Sequence, residues 1–256
     1  MIFEVEVLKV FLLVMTRFTG LLVSAPVLGS RNFPVIGKVG LAALSAMIVT
    51  PLLPAFTEPL PAEALPFGML ALGEAAIGLT MGFVMTIAFA AIQVAGQIMD
   101  MLSGFALVNV FNPAMETQVP IFGFFYFIIA VLYLLVLDGH HLMIEHLVIT
   151  FEKVPVGGFV LHPELFREVG RWGSAMFLDG LILAAPLAGA LLLAYVTMGL
   201  MGRIVPQIHL FVVGFPFTVG MALLVSAFII EIYLLALDGM FNQMWRNVGT
   251  LIDGMT

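Results

Sequence analysis

The 256-residue sequence contains no cysteine. That excludes disulfides, thiolate metal sites and a cysteine nucleophile. Charge is also scarce: Asp, Glu, Lys and Arg make up 10% of the residues, against about 25% in an average soluble domain. Nine Lys and Arg face sixteen Asp and Glu, a net charge of −7. No basic patch exists to neutralise phosphates, so nucleic-acid binding is excluded. What is present is apolar, 62% of the residues. A folded chain of this size cannot hide that much apolar surface from water. A soluble enzyme and a disordered chain are both excluded. The surroundings are a bilayer or other apolar proteins.

Runs free of Asp, Glu, Lys and Arg mark candidate membrane helices, which need about 20 mostly apolar residues. Four are long: Ala75–Met99, Thr117–Leu137, Gly180–Gly202 and Ile204–Ile230. Val39–Leu53 is short and closed by Pro51 and Pro54, and Val7–Leu28 carries Lys9 and Arg17. The expected fold is therefore all-α, with about six apolar helices, some of them broken. The acidic start Met1-Ile2-Phe3-Glu4-Val5-Glu6 lacks the basic n-region of a signal peptide, so the first apolar stretch is expected to stay as a helix. Pro51–Pro66, with five prolines and two glutamates, reads as an extended acidic loop. Asp138–Trp172 is the main polar insertion, and Met240–Thr256 reads as an amphipathic tail helix. Arg31 and Lys38 favour the cytoplasm by the positive-inside rule. Six crossings would then put Lys153, Arg167 and Arg171 outside, against the rule. Some elements are thus not conventional crossings.

Small residues recur at every fourth position: Gly78, Gly82, Thr86 and Ala90, then Gly20 and Ser24, then Ala185 and Gly189. Such ribbons let helices approach to backbone contact, either within one chain or against a partner. Arg17, Glu74, Asp100, Asp179, Arg203, Glu231 and Asp238 lie within or beside apolar helices. There they either pair and sit at helix ends or serve an ion relay. Asp138-Gly139-His140-His141-Leu142-Met143-Ile144-Glu145-His146 holds three histidines, but neither H-E-x-x-H nor H-x-x-E-H occurs. No metal site is assigned there; a membrane metalloprotease using His141, Glu145 and His146 is the reading a zinc assay would exclude. No catalytic constellation and no phosphate loop are found, so neither enzyme activity nor a cofactor is assigned.

Three segments interrupt apolar runs. Gly199–Gln207 combines Gly, Arg203 and Pro206, and Gly214-Phe215-Pro216 is expected to break the next helix. Backbone broken at membrane depth survives where protein or a watery cavity satisfies it, so both point to a conduit or a subunit interface, with simple kinks as the plain alternative. Ser103–Gln118 is apolar but carries Gly104 and Asn112-Pro113, as either a re-entrant plug or an ordinary packed connector would.

Several of these strings occur in a familiar order. Arg17, Gly20, Pro26 and Leu28 precede Pro34 and Lys38; Gln93-Val94-Ala95-Gly96 precedes Asp100, Gly104, Asn112-Pro113 and Pro120. Asp138-Gly139-His140-His141 leads to Phe151, Pro155 and Gly157, and Gly199, Arg203-Ile204-Val205-Pro206-Gln207 and Val213-Gly214-Phe215-Pro216 close the series. From about residue 10 to about 240 this resembles the FliR/SctT family of type III export-gate proteins, nearer its flagellar branch. The resemblance implies one domain over residues 1–256, a FliP-like N-terminal part joined to a FliQ-like C-terminal part. It implies helical hairpins stacked in a hetero-oligomer with FliP and FliQ, beside FlhA and FlhB homologues, in the bacterial inner membrane at the flagellar basal body. Unfolded subunits would pass through the resulting channel. Phe105, Val110, Phe111, Asn112, Pro113 and Met115 would belong to its plug. Gly78, Gly82, Arg203, Pro206, Gln207, Gly214, Phe215 and Pro216 would belong to subunit interfaces or broken helices. The injectisome gate subunit shares this chemistry, and a small-solute or ion transporter is the alternative from another class.

Overall fold

The structure, a computed structural model, describes residues 2–54, 60–106, 120–159, 163–205 and 210–255. It consists of α1 (Ile2–Ser24), α2 (Val35–Val49), a 3₁₀ turn (Thr50–Leu52), α3 (Ala64–Ser103), α4 (Ile121–Val136), α5 (Gly139–Lys153), α6 (Pro163–Ile204) and α7 (Leu210–Asp253). No strand occurs among the described residues. Among the described residues, five helical segments are long and apolar enough to cross a membrane. A sixth is added if α4 and α5, bent by 64° at their junction, count as one span. The fold is that of an all-α membrane protein.

The helix ends follow from local chemistry. Pro34 stands in extended conformation just before α2. Pro51 lacks the N–H that another α-turn would use, and the chain tightens into the 3₁₀ turn. Gly104, at φ 92°, ends α3 in the left-handed region that favours glycine. Asp138 is also left-handed, at φ 54°, and there the chain turns from α4 into α5.

Expectations about helix bounds are refined or corrected. α3 is 40 residues long, starting at Ala64 rather than Ala75, so Pro66 lies in its first turn. The tail expected from Met240 is helical to Asp253, as the continuation of α7 rather than a separate helix. Its buried Met244, Val248 and Leu251 keep the same helical spacing. Gly214-Phe215-Pro216 does not break the chain either: α7 runs through Pro216. One missing N–H so near a helix start removes little of a 44-residue ladder.

The chain divides into two compact units. The first comprises Met1–Ile87, Leu134–Trp172 and Gln243–Thr256. Its core joins Leu13, Phe18 and Leu21 of α1 to Ile77 and Met81 of α3 and Phe151 of α5. The end of α7 docks on α5 within this unit, through the His146–Trp245 ring stack at 5.1 Å and the Lys153–Asp253 ion pair. The second unit comprises Ala88–Tyr133 and Gly173–Asn242. Its core is aromatic: Phe89 packs on Phe127 and Phe241, and Phe122, Tyr126 and Tyr233 form a continuous series.

Candidate functional site

In the second unit the geometry concentrates where α3 ends and α4 begins. Asp100 lies buried at the end of α3. Its two carboxylate oxygens accept hydrogen bonds from the backbone N–H groups of Phe122 (2.9 Å) and Gly123 (3.1 Å). These are N–H groups of the first turn of α4, which have no acceptor within the helix, and a carboxylate at that end also opposes the positive pole of the helix dipole. Gly96 meets Gly123 so closely that a Cβ on Gly96 would collide with the Cα of Gly123. Phe105 stands edge-on to Phe122 at 5.5 Å, and the Tyr195 hydroxyl donates to Leu102 O at 2.7 Å. Both flanks of residues 107–119 are thereby fixed to one point.

The first unit holds a second polar centre. Arg17 Nε donates to Glu74 Oε2 at 2.6 Å, and neither side chain touches solvent. The other guanidinium nitrogens donate to Thr150 Oγ1 and Val154 O. The remaining Glu74 oxygen accepts from Gly157 N–H at 2.8 Å. The guanidinium carbon also lies 4.0 Å over the Phe151 ring. Every strong group of this pair has a partner, the condition under which a buried ion pair is tolerated. Glu74 and Asp100, two of the five carboxylates a relay could use, are therefore engaged in structure.

Of the expected plug residues, Phe105 is in the cluster just described; Val110, Phe111, Asn112, Pro113 and Met115 lie outside the described residues. So do Pro206 and Gln207. Arg203 is exposed in the last turn of α6, where a cation suits the negative end of the helix. Gly214 is buried, 3.3 Å by its Cβ direction from the Met198 sulfur, and Phe215 covers Gly104. Pro216 is exposed. Gly78 and Gly82 face α1 of the same chain: a Cβ on either would strike Arg17 O or Ser24 Oγ. Thr86 continues that ribbon by donating to Ser24 O at 2.7 Å. The ribbon on α6 differs, since Ala185 and Gly189 are exposed and no described residue lies within 4 Å of a Cβ on Gly189.

Residues 8–244 match the family described as bacterial export proteins, family 1. The chain belongs to that family. Among its relatives, the flagellar biosynthetic protein FliR of Escherichia coli K12 is 32% identical over 237 residues, 93% of this chain and 90% of that protein. The FliR of Pectobacterium carotovorum is 30% identical over 240 residues, 94% and 91% of the two chains. The FliR of Bacillus subtilis 168 is 27% identical over 257 residues, 97% of each.

As a family 1 export protein, the chain also carries features that spacing alone did not give. Gly123 and Tyr195 join the Asp100 cluster from distant segments, and no sequence motif links them. The histidine segment is arranged differently from a zinc protease. His146 Nδ1 lies 2.8 Å from Leu142 O and its ring stacks on Trp245, whereas Asp138, His140 and His141 come together.

Proposed function

We propose that this chain is a core component of the flagellar type III protein export gate. With FliP and FliQ homologues it would build the channel through which unfolded flagellar subunits leave the cell. The single observation carrying this reading is the outer face of α6. Phe177, Leu181, Ile182, Leu193, Val196 and Ile204 are exposed along it. From Phe177 to Ile204 this face rises about 40 Å, more than the hydrocarbon core of about 30 Å. Gly189 stands uncovered within it. Lipid would cover part of such a face; a small-residue ribbon inside it fits a neighbouring helix better than a lipid tail. The flagellar relatives supply the setting, and a place in the bacterial inner membrane at the basal body would go with it.

The mechanism assigns residues 103–118 to the plug. Apolar side chains there would seal the channel by excluding water and yield to a passing unfolded chain. Asp100, with Gly96 and Gly123, would hold the base of that segment, and opening would move the loop without breaking covalent bonds. The driving energy would come from a separate ATPase and the proton motive force through FlhA and FlhB homologues. Residues 1–256 would form one domain, a FliP-like N-terminal part joined to a FliQ-like C-terminal part.

Native mass spectrometry of the tagged chain, extracted from its host in mild detergent, tests the proposal. A discrete complex with several copies of two other small hydrophobic proteins is the expected result, and their identities distinguish flagellum from injectisome. A lone chain or homodimer surviving gentle extraction would overturn it and favour a transporter. Deletion of residues 103–118 is expected to make the assembled gate leak ions; unchanged conductance and secretion would remove the plug assignment.

A further inference from the structure

The turn between α4 and α5 gathers a donor set that the export reading does not use. Asp138, His140 and His141 each offer a ligand atom, and the three atoms lie within 4.8 Å of one another. We propose that they form a binding site for a divalent transition-metal ion of the zinc and cobalt class, with water completing the coordination. The inference is independent of the export function.

Three features separate this trio from a chance surface cluster. The first is Asp138 itself. It occupies the N-cap position of α5, where an aspartate ordinarily accepts a hydrogen bond from the second or third helical N–H. Here its side chain makes no capping bond. Instead Oδ1 lies 3.2 Å from His141 Nδ1. Second, Asp138 is one of two non-glycine residues with positive φ among the described residues. A backbone in that sparse region has a cost, and aspartate tolerates it better than most residues. The left-handed turn accompanies a carboxylate placed against the first turn of α5 rather than capping it. Third, His140 Nδ1 is buried and has no hydrogen-bond partner among the described residues. Buried polar atoms in native proteins nearly always have one, and a ligand is one way to supply it. The His140 and His141 rings lie 4.0 Å apart by their centroids, so both imidazoles reach the same small volume.

The donor chemistry selects the ion. Two imidazole nitrogens and one carboxylate oxygen suit zinc, cobalt, nickel or copper, whereas magnesium and calcium prefer all-oxygen shells. Bonds of about 2.0–2.1 Å to a tetrahedral ion place neighbouring donors about 3.4 Å apart. The trio must therefore close in from its present spacing. The side chains of His141 and Asp138 are 70% and 74% exposed and free to do so. The positive pole at the start of α5 opposes a cation, and the negative charge of Asp138 offsets it. Three protein ligands leave a position open, so affinity is expected below that of a closed four-ligand site. A bound ion would tie residue 138 to the first turn of α5 and stiffen the bend.

The test uses the full chain, purified in detergent with whatever subunits accompany it and stripped by chelator. Cobalt(II) titration followed by visible absorption, with zinc competition and elemental analysis, is expected to give one ion per chain at micromolar free metal. His140→Ala and His141→Ala should each weaken binding by about tenfold or more, Asp138→Asn should weaken it, and His146→Ala should leave it unchanged. A readout without variants guards against misfolding: zinc should protect His140 and His141, but not His146, from diethylpyrocarbonate. Binding only at millimolar metal, an unaltered His140→Ala/His141→Ala double variant, or equal protection of all three histidines would overturn the site.

Discussion

Arg17 and Glu74 stand 57 residues apart in the chain, yet share a 2.6 Å hydrogen bond from which water is wholly excluded. The pair ties α1 to α3, and its outer hydrogen bonds reach the end of α5 and the loop after it. Its energetics are asymmetric. Removing one partner strands the other charge; removing both strands none.

Arg17→Met alone should therefore destabilise the first unit by about 3–5 kcal/mol, and Glu74→Met similarly. The double variant should lose less than either single change. Thermal unfolding of the four proteins in one detergent, arranged as a double-mutant cycle, checks this. Additive losses would mean that the pair is not coupled.

Gly78→Val should be severe, because its side chain would strike the carbonyl oxygen of Arg17, a backbone atom that cannot rotate away. Overpacking of this kind costs about 1–3 kcal/mol or more. A Cβ on Gly189 meets nothing within 4 Å among the described residues, so Gly189→Val should leave the chain's own stability unchanged. Comparing protease resistance of the two variants with their recovery in complexes separates in-chain packing from assembly. Gly189→Val should fail only in the second assay.

For Asp100→Asn, one of the two N–H acceptors at the start of α4 becomes an amide and the charge is lost. Hydrogen bonds to charged groups contribute about 1.5–3 kcal/mol each, so the amides of Phe122 and Gly123 should exchange with deuterium markedly faster. Exchange in the first unit should not change. Equal exchange at both amides would show that the carboxylate does not hold that helix start.

Tyr233→Phe deletes the 2.9 Å hydrogen bond to Tyr126 O but keeps the edge-on ring contact at 4.5 Å. A loss of about 0.5–1.5 kcal/mol is expected. Tyr233→Leu removes the ring pair as well, which adds about 0.5–1.5 kcal/mol. Melting temperatures of the two variants should fall in that order.

The helix interiors were legible because charge-free apolar runs are what an apolar environment requires. The helix ends were not, because a charge marks the solvent limit only when it is unpaired. Glu74 closed the run that began at Ala75, but Arg17 neutralises it, and α3 continues back to Ala64. Asp179 closed the run that began at Gly180, yet α6 begins at Pro163 and carries the exposed Arg167 and Arg171. Gly78, Gly82 and Thr86 lie against α1 of the same chain; small-residue spacing cannot name the helix opposite. The donor trio was illegible for another reason: the i, i+4 rule assumes regular helix, and Asp138 leaves it. Gly123 and Tyr195 meet the Asp100 region only through the tertiary fold, so no local pattern announced them.

The wiring of Arg17 also constrains how the protein is made. Its acceptor Val154 O lies 137 residues downstream, and ribosomes add about 5–20 residues per second. On the order of ten seconds therefore pass between synthesis of the arginine and arrival of its last partner. An arginine at the centre of an inserting apolar helix is disfavoured by roughly 2.5–3.5 kcal/mol. The first helix is consequently expected to wait, sheltered by the insertion machinery or snorkelling to the interface, until Glu74 and then the end of α5 emerge. Charge pairing would thus set the order of biogenesis, and a pause in translation before residue 154 is expected to lengthen the interval in which Arg17 lacks its partners.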